Sequence, residues 1–177
     1  MRLFTPARLT TIAAAFSLAG LLTAASVRSR YPPDPVPTVV VMIVFGHFLV
    51  VMTTSLWLWL APRTLDLAYV IMILGIMASY VVNRGECMFN YWERRLSDPG
   101  YVVGSDPSFE PYMHDLPKPW VGLLVLLWLL KAYVMFTVFS SVTGSRFAGA
   151  AVVAVFYALT LHFHIPSQLV VVQRALV

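Results

Sequence analysis

Six side chains in this sequence have types and spacings that could do chemistry: His47, Glu86, Cys87, Asn90, Glu93 and Lys131. Lys131 stands in the apolar run LLVLLWLLKAYVMFTVF and His47 in VVVMIVFGHFLVVM. An ammonium at the middle of a membrane helix costs roughly 2.5–3.5 kcal/mol on insertion scales, so it must face a bundle, a hydrated cavity or a partner. The nearest carboxylates along the chain are Asp66, Glu86 and Glu93. An imidazole on an apolar helix is commonly satisfied by a hydroxyl or carbonyl, and Thr53, Thr54 and Ser55 lie about two turns further on. Cys87 is the only cysteine, which removes an internal disulfide and any cysteine-based zinc site. As a nucleophile it would need a nearby base or cation, and Arg84, Arg94 or His114 could supply only the electrostatics. His162 and His164 point roughly 200° apart on a helix and could not chelate one metal unless the helix ended there, as Pro166 allows. No nucleophile elbow, phosphate loop, HExxH, EF-hand or paired-carboxylate pattern is present, so no cofactor or metal is expected.

These residues must be positioned by an unusually apolar chain. Of 177 residues, 59% are hydrophobic and 11% charged, and the mean hydropathy is +0.79. A soluble domain carries about a quarter charged residues, so an ordinary cytosolic enzyme is excluded. The absence of a basic run excludes nucleic acid as a partner. A membrane helix needs about 20 mostly apolar residues, and five stretches qualify: 9–27, 38–61, 65–82, 120–141 and 147–164. Pro32, Pro33, Pro35 and Pro37 separate the first pair, Pro62-Arg63 the second and third, and Gly144-Ser145-Arg146 the last pair. The reading is therefore a single all-helical membrane domain over 1–177, with the lipid bilayer as its surroundings. Arg2, Arg8 and the small residues Ala24, Ala25 and Ser26 also fit a secretory signal, whose cleavage would leave four spans. Arg28 and Arg30 instead resemble a stop-transfer flank. Loop arginines and lysines divide four against seven, which leans towards a cytoplasmic long loop and C-terminus.

The one long polar segment, 83–119, holds six of the eight acids and four basic residues. It opens with NRGECMFNYWERRL, which at helical periodicity puts Met88, Phe89, Trp92 and Leu96 on one face and Glu86, Asn90, Glu93 and Arg94 on the other. That pattern suits a helix in the headgroup layer, and its polar stripe, with Cys87 at the edge, could line a site facing the bundle. Beyond it, Asp98-Pro99-Gly100 and Asp106-Pro107 start turns, and Pro111, Pro117 and Pro119 forbid helix until the fourth span. Tyr101, Phe109, Tyr112 and Met113 interleave with the acids, so an ordered cap over one mouth of the bundle is expected.

From about 39 to 104 the chain resembles a family of small bacterial multi-pass membrane proteins classed as a domain of unknown function. The resemblance rests on GHFLVVM, with His47, and on CMFNYWERRL about forty residues later, against the family pattern Cys-Pro-Leu-Thr-x-x-Glu-x-x-Leu. Cys87, Glu93 and Leu96 match it, while Met88 and Asn90 replace its proline and threonine. The resemblance implies architecture and a shared His-Cys-Glu layer, not a reaction.

Three functions follow as expectations. The favoured one is a non-enzymatic subunit of a membrane complex, whose aromatic cap and Lys131 meet protein partners. The second is a small transporter or channel with a polar path through His47, Lys131 and Glu93. The third is a membrane enzyme using Cys87 with Glu86 or Glu93.

Overall fold

Prolines and glycines set the joints of the chain. The computed structural model describes residues 5–31, 36–105 and 118–175, with the side chains at 118 and from 161 onward outside that description. Helix α1 (Pro6–Arg30) starts behind Thr5, whose hydroxyl accepts the Arg8 N–H at 3.3 Å, with Pro6 in the first turn where no N–H is needed. It ends with Arg28 and Arg30 in its last turn, where cations oppose the helix dipole. Helix α2 (Thr38–Leu60) follows Pro37. A reversal at Pro62 and one 3-10 turn, Arg63–Leu65, lead into α3 (Asp66–Val82). The short α4 (Met88–Ser97) is followed by α5 (Lys118–Thr143), a turn at Gly144 with φ 68°, and α6 (Arg146–Ala175).

Two boundaries differ from the sequence reading. Helix α5 begins at Lys118, so Pro119 lies inside its first turn, a position that lacks an intrahelical acceptor and tolerates proline. Helix α6 continues past Pro166 to Ala175, because an internal proline removes one hydrogen bond without necessarily ending the helix.

Every regular element among the described residues is helical. Four segments, Pro6–Arg30, Thr38–Leu60, Arg63–Val82 and Pro119–Thr143, are long and apolar enough to cross a membrane. The described apolar part of α6, Arg146–Thr160, is shorter. Leu67, Ile71, Leu126 and Leu129 each expose over half their surface. A water-facing monomer rarely carries so much apolar surface, whereas hydrocarbon accommodates it. The segment 106–117, on which the expected aromatic cap partly rests, lies outside the described residues, as do the side chains of His162 and His164.

Helix α5 joins two cores. Its first half contributes Leu124 and Leu127 to a cluster with Ala15, Ala19 and Leu22 of α1 and Val44, Phe48 and Met52 of α2. The small residues of α1 let the backbones approach closely. Its second half contributes Val134, Met135, Val138 and Phe139 to a cluster with Tyr69 and Ile73 of α3 and Phe156 of α6. At the α5–α6 crossing, a side chain on Gly149 would meet the Ser140 hydroxyl and lie 2.7 Å from the Phe136 carbonyl oxygen. The α2–α3 hairpin is held by the buried Asp66, which accepts from Trp57 Nε1 at 3.0 Å and from Arg63 at 3.2 Å.

Candidate functional site

A sharp reversal after α3 places α4. Asn83 closes α3, Arg84 and Gly85 take φ values of 53° and 90°, and the Glu86 N–H returns to the Asn83 carbonyl at 3.1 Å. Left-handed backbone suits Gly85 and costs about 1–2 kcal/mol at Arg84, which has a side chain. The reversal lays α4 against α2. Phe89 stacks on His47 with ring centres 5.5 Å apart and planes 7° from parallel, and it also approaches Gly46.

With α4 so placed, its polar stripe points inward. Asn90 and Glu93 are buried, as is the preceding Glu86, while Met88, Trp92 and Leu96 are exposed. The amphipathic helix thus turns Asn90 and Glu93 inward and keeps Arg95 exposed. Glu93 forms a 2.6 Å ion pair with Arg30 and accepts the Tyr31 hydroxyl at 2.9 Å, which ties α4 to the end of α1. Glu86 accepts the Tyr101 hydroxyl at 2.8 Å and the Gly104 N–H at 3.0 Å, with Arg94 Nε 4.0 Å away. Gly104 has φ 75°, and a Cβ there would lie 2.8 Å from that of Arg84. Burial, then the hydrogen bond to Glu86, push the Tyr101 phenol above its ordinary value. Burial likewise raises the Tyr31 phenol. The side-chain amide oxygen of Asn90, Oδ1, has no hydrogen-bond partner among the described residues.

The remaining three candidates meet elsewhere. His47 Nε2 lies 3.8 Å from Cys87 Sγ, and both line a cavity of about 330 Å³ that also takes in Lys131. The cavity lies between α2 and α3, and α5, α6 and the start of α4 complete its lining. Its wall is mostly apolar, with Val51, Met72, Ile76 and Trp128, and Ser79 and Tyr80 add hydroxyls. Lys131 Nζ sits 5.8 Å from the centre of the Phe156 ring, within reach of cation–π attraction. No carboxylate lines the cavity among the described residues. A larger hollow of about 520 Å³ lies between α1 and α2, but it offers only Thr23 and Arg28 as polar groups and no nucleophile or base.

Several expectations change with this geometry. Glu93 does not share a cavity with His47 and Lys131; it locks α1 to α4. Lys131 is only 7% exposed and faces the cavity, so its ammonium is not displayed on the outer surface. The imidazole beside Cys87 is that of His47, forty positions earlier, while neither Glu86 nor Glu93 lines the cavity. The hydroxyl of Thr54 bonds the Val50 and Val51 carbonyls of its own helix. Sequence reasoning missed Arg30, Tyr31 and Tyr101 as partners of the buried carboxylates. Their only local signals were a basic flank after the first span and an aromatic beside Gly100. Among the described residues no group of three or more His, Cys, Asp or Glu side chains could hold a metal ion. Comparison of the chain with protein-family models, with curated proteins and with solved structures finds no match.

Proposed function

We propose that this is a multi-pass integral membrane protein of five spans whose function is to hold a small amphiphilic molecule from the bilayer between α2 and α3. The convergence of His47, Cys87 and Lys131 on one mostly apolar cavity of about 330 Å³ carries this reading. Ligand sites are commonly cavities of roughly 300–1,000 Å³ with apolar walls and a few convergent polar groups. The apolar wall suits a hydrocarbon portion, and Lys131 with His47 suits an anionic or hydrogen-bond-accepting head. The reading moves the weight from a subunit meeting partners through Lys131 to a binding protein, because Lys131 faces inward.

Native mass spectrometry of the protein purified in mild detergent tests it. Gly75 lines the cavity, and nothing lies within 4 Å of where its Cβ would stand, so Gly75→Leu fills space without a first clash. Wild type should carry a bound amphiphile that Gly75→Leu loses while remaining folded, and Lys131→Met should lose anionic species selectively. An empty wild-type protein co-purifying with a stoichiometric protein partner would favour the accessory-subunit reading instead.

A further inference from the structure

The cavity contains more than a binding site requires. A ligand pocket needs an apolar wall and an anchoring charge, but this one also places the chain's single thiol 3.8 Å from an imidazole nitrogen. Cys87 is the N-cap residue of α4, with no hydrogen bond from its side chain to the helix N-terminus. The first N–H groups of any helix lack intrahelical acceptors. Met88 and Phe89, which carry the first of them in α4, also line the cavity. A nucleophile, a base, backbone donors at a helix start and a nearby ammonium are the parts that acyl transfer uses. The surrounding apolar wall suits an acyl chain.

We infer that Cys87 accepts a long-chain acyl group from an activated amphiphile, an oxygen ester or a thioester, with His47 as the base. This rests on the ligand-binding reading of the same cavity and names its substrate class. Sγ bonds to the acyl carbonyl carbon, and the bond from that carbon to the leaving oxygen or sulfur breaks. The thiol proton passes through His47 Nε2 to the leaving group. Acyl–O–R or acyl–S–R and the thiol thus give acyl–S–Cys87 and HO–R or HS–R, with no oxidant or reductant. The donors on offer to the negative charge that develops on the carbonyl oxygen are the first α4 N–H groups and Lys131, whose residues line the same cavity.

The test uses the full chain in nanodiscs with two ω-alkynyl palmitoyl probes, one a phospholipid ester and the other a soluble thioester. Intact mass and fluorophore attachment read the acyl group, and neutral hydroxylamine, which cleaves thioesters, identifies its linkage. Because Cys87 is the only cysteine, hydroxylamine-labile label reports on that position alone. Wild type should acquire such label from at least one probe, and the active arm identifies the donor. Cys87→Ser should acquire none, and His47→Gln, with an unchanged elution profile and helix content, should react about 100-fold more slowly. No labile label from either probe overturns the inference, and equal rates in wild type and His47→Gln overturn it by showing uncatalysed acylation. Native mass spectrometry of Cys87→Ser with the same probes separates the two readings. Probe retained there, with wild type unlabelled, sinks the transfer and spares the pocket, whereas probe neither retained nor transferred sinks both.

Discussion

Two buried carboxylates organise the polar end of the molecule, and each has a distinct partner set. The Glu93 side chain is 2% exposed and that of Arg30 13%, so removing one charge leaves the other in a poorly hydrated place. Breaking such a pair costs about 3–5 kcal/mol. Arg30→Met should therefore lower stability in detergent by about 3 kcal/mol in a denaturant titration. Pairing it with Glu93→Leu should recover most of that loss, and a single mutant within about 1 kcal/mol of wild type would mean that the pair is solvated. Tyr101 gives a pH signature. Its folded phenol titrates above the unfolded value near 10, so the stability tied to its neutral form is complete below that pH and is lost as pH rises through the folded value. The melting-temperature difference between wild type and Tyr101→Phe should stay level from pH 7 to 9 and shrink only at higher pH. A change already between pH 7 and 9 would contradict it.

Among the elements, α4 is positioned by turns and α6 by a close approach. Arg84 has φ 53° and is exposed, so Arg84→Gly should relieve backbone strain and stabilise the protein by about 1 kcal/mol. A loss of stability would show that the arginine side chain outweighs its backbone cost. Gly149→Val should do the reverse, because its Cβ would fall 2.7 Å from the Phe136 carbonyl oxygen of α5. Overpacking of this kind costs about 1–3 kcal/mol, readable as a lower thermal midpoint, and an unchanged midpoint would mean that α5 and α6 slide apart freely. The boundaries of these helices were largely legible in the sequence. Proline and glycine punctuation located the α2–α3 and α5–α6 joints to within a few residues, because backbone chemistry acts locally. The helical period of CMFNYWERRL set Met88, Trp92 and Leu96 apart from Asn90 and Glu93, but it grouped Phe89 with the outer residues, whereas Phe89 packs on His47. Periodicity alone left open which face turned inward, since a polar stripe can seek headgroups or a bundle.

For the whole molecule, two cores share α5, and α1 belongs to the first of them. Ala19 and Leu22 of α1 are fully buried against α2 and α5. A chain with α1 deleted should accordingly fail to give a monodisperse species on size exclusion. A well-behaved protein of that kind would revive the four-helix alternative. The proposed five spans would put the two ends on opposite sides of the membrane, and on that proposal the count of loop arginines and lysines leans towards a cytoplasmic C-terminus. A fluorescent reporter active only in the cytoplasm should light up when fused after Val177 and stay dark when fused before Met1; the opposite pattern would reject this orientation.

Composition and local pattern by themselves determined the helical class, four of the five expected span-length segments, the joints and most of the division between the faces of α4. These depend on interactions between residues a few positions apart, which a single sequence displays. Tertiary structure alone decided which candidates meet. His47 and Cys87 are forty positions apart, and Arg30 and Tyr31 find Glu93 across more than sixty. Such contacts follow from how far α4 folds back along α2 and from the gap left between α2 and α3. The packing of whole helices sets both, and no local periodicity encodes it.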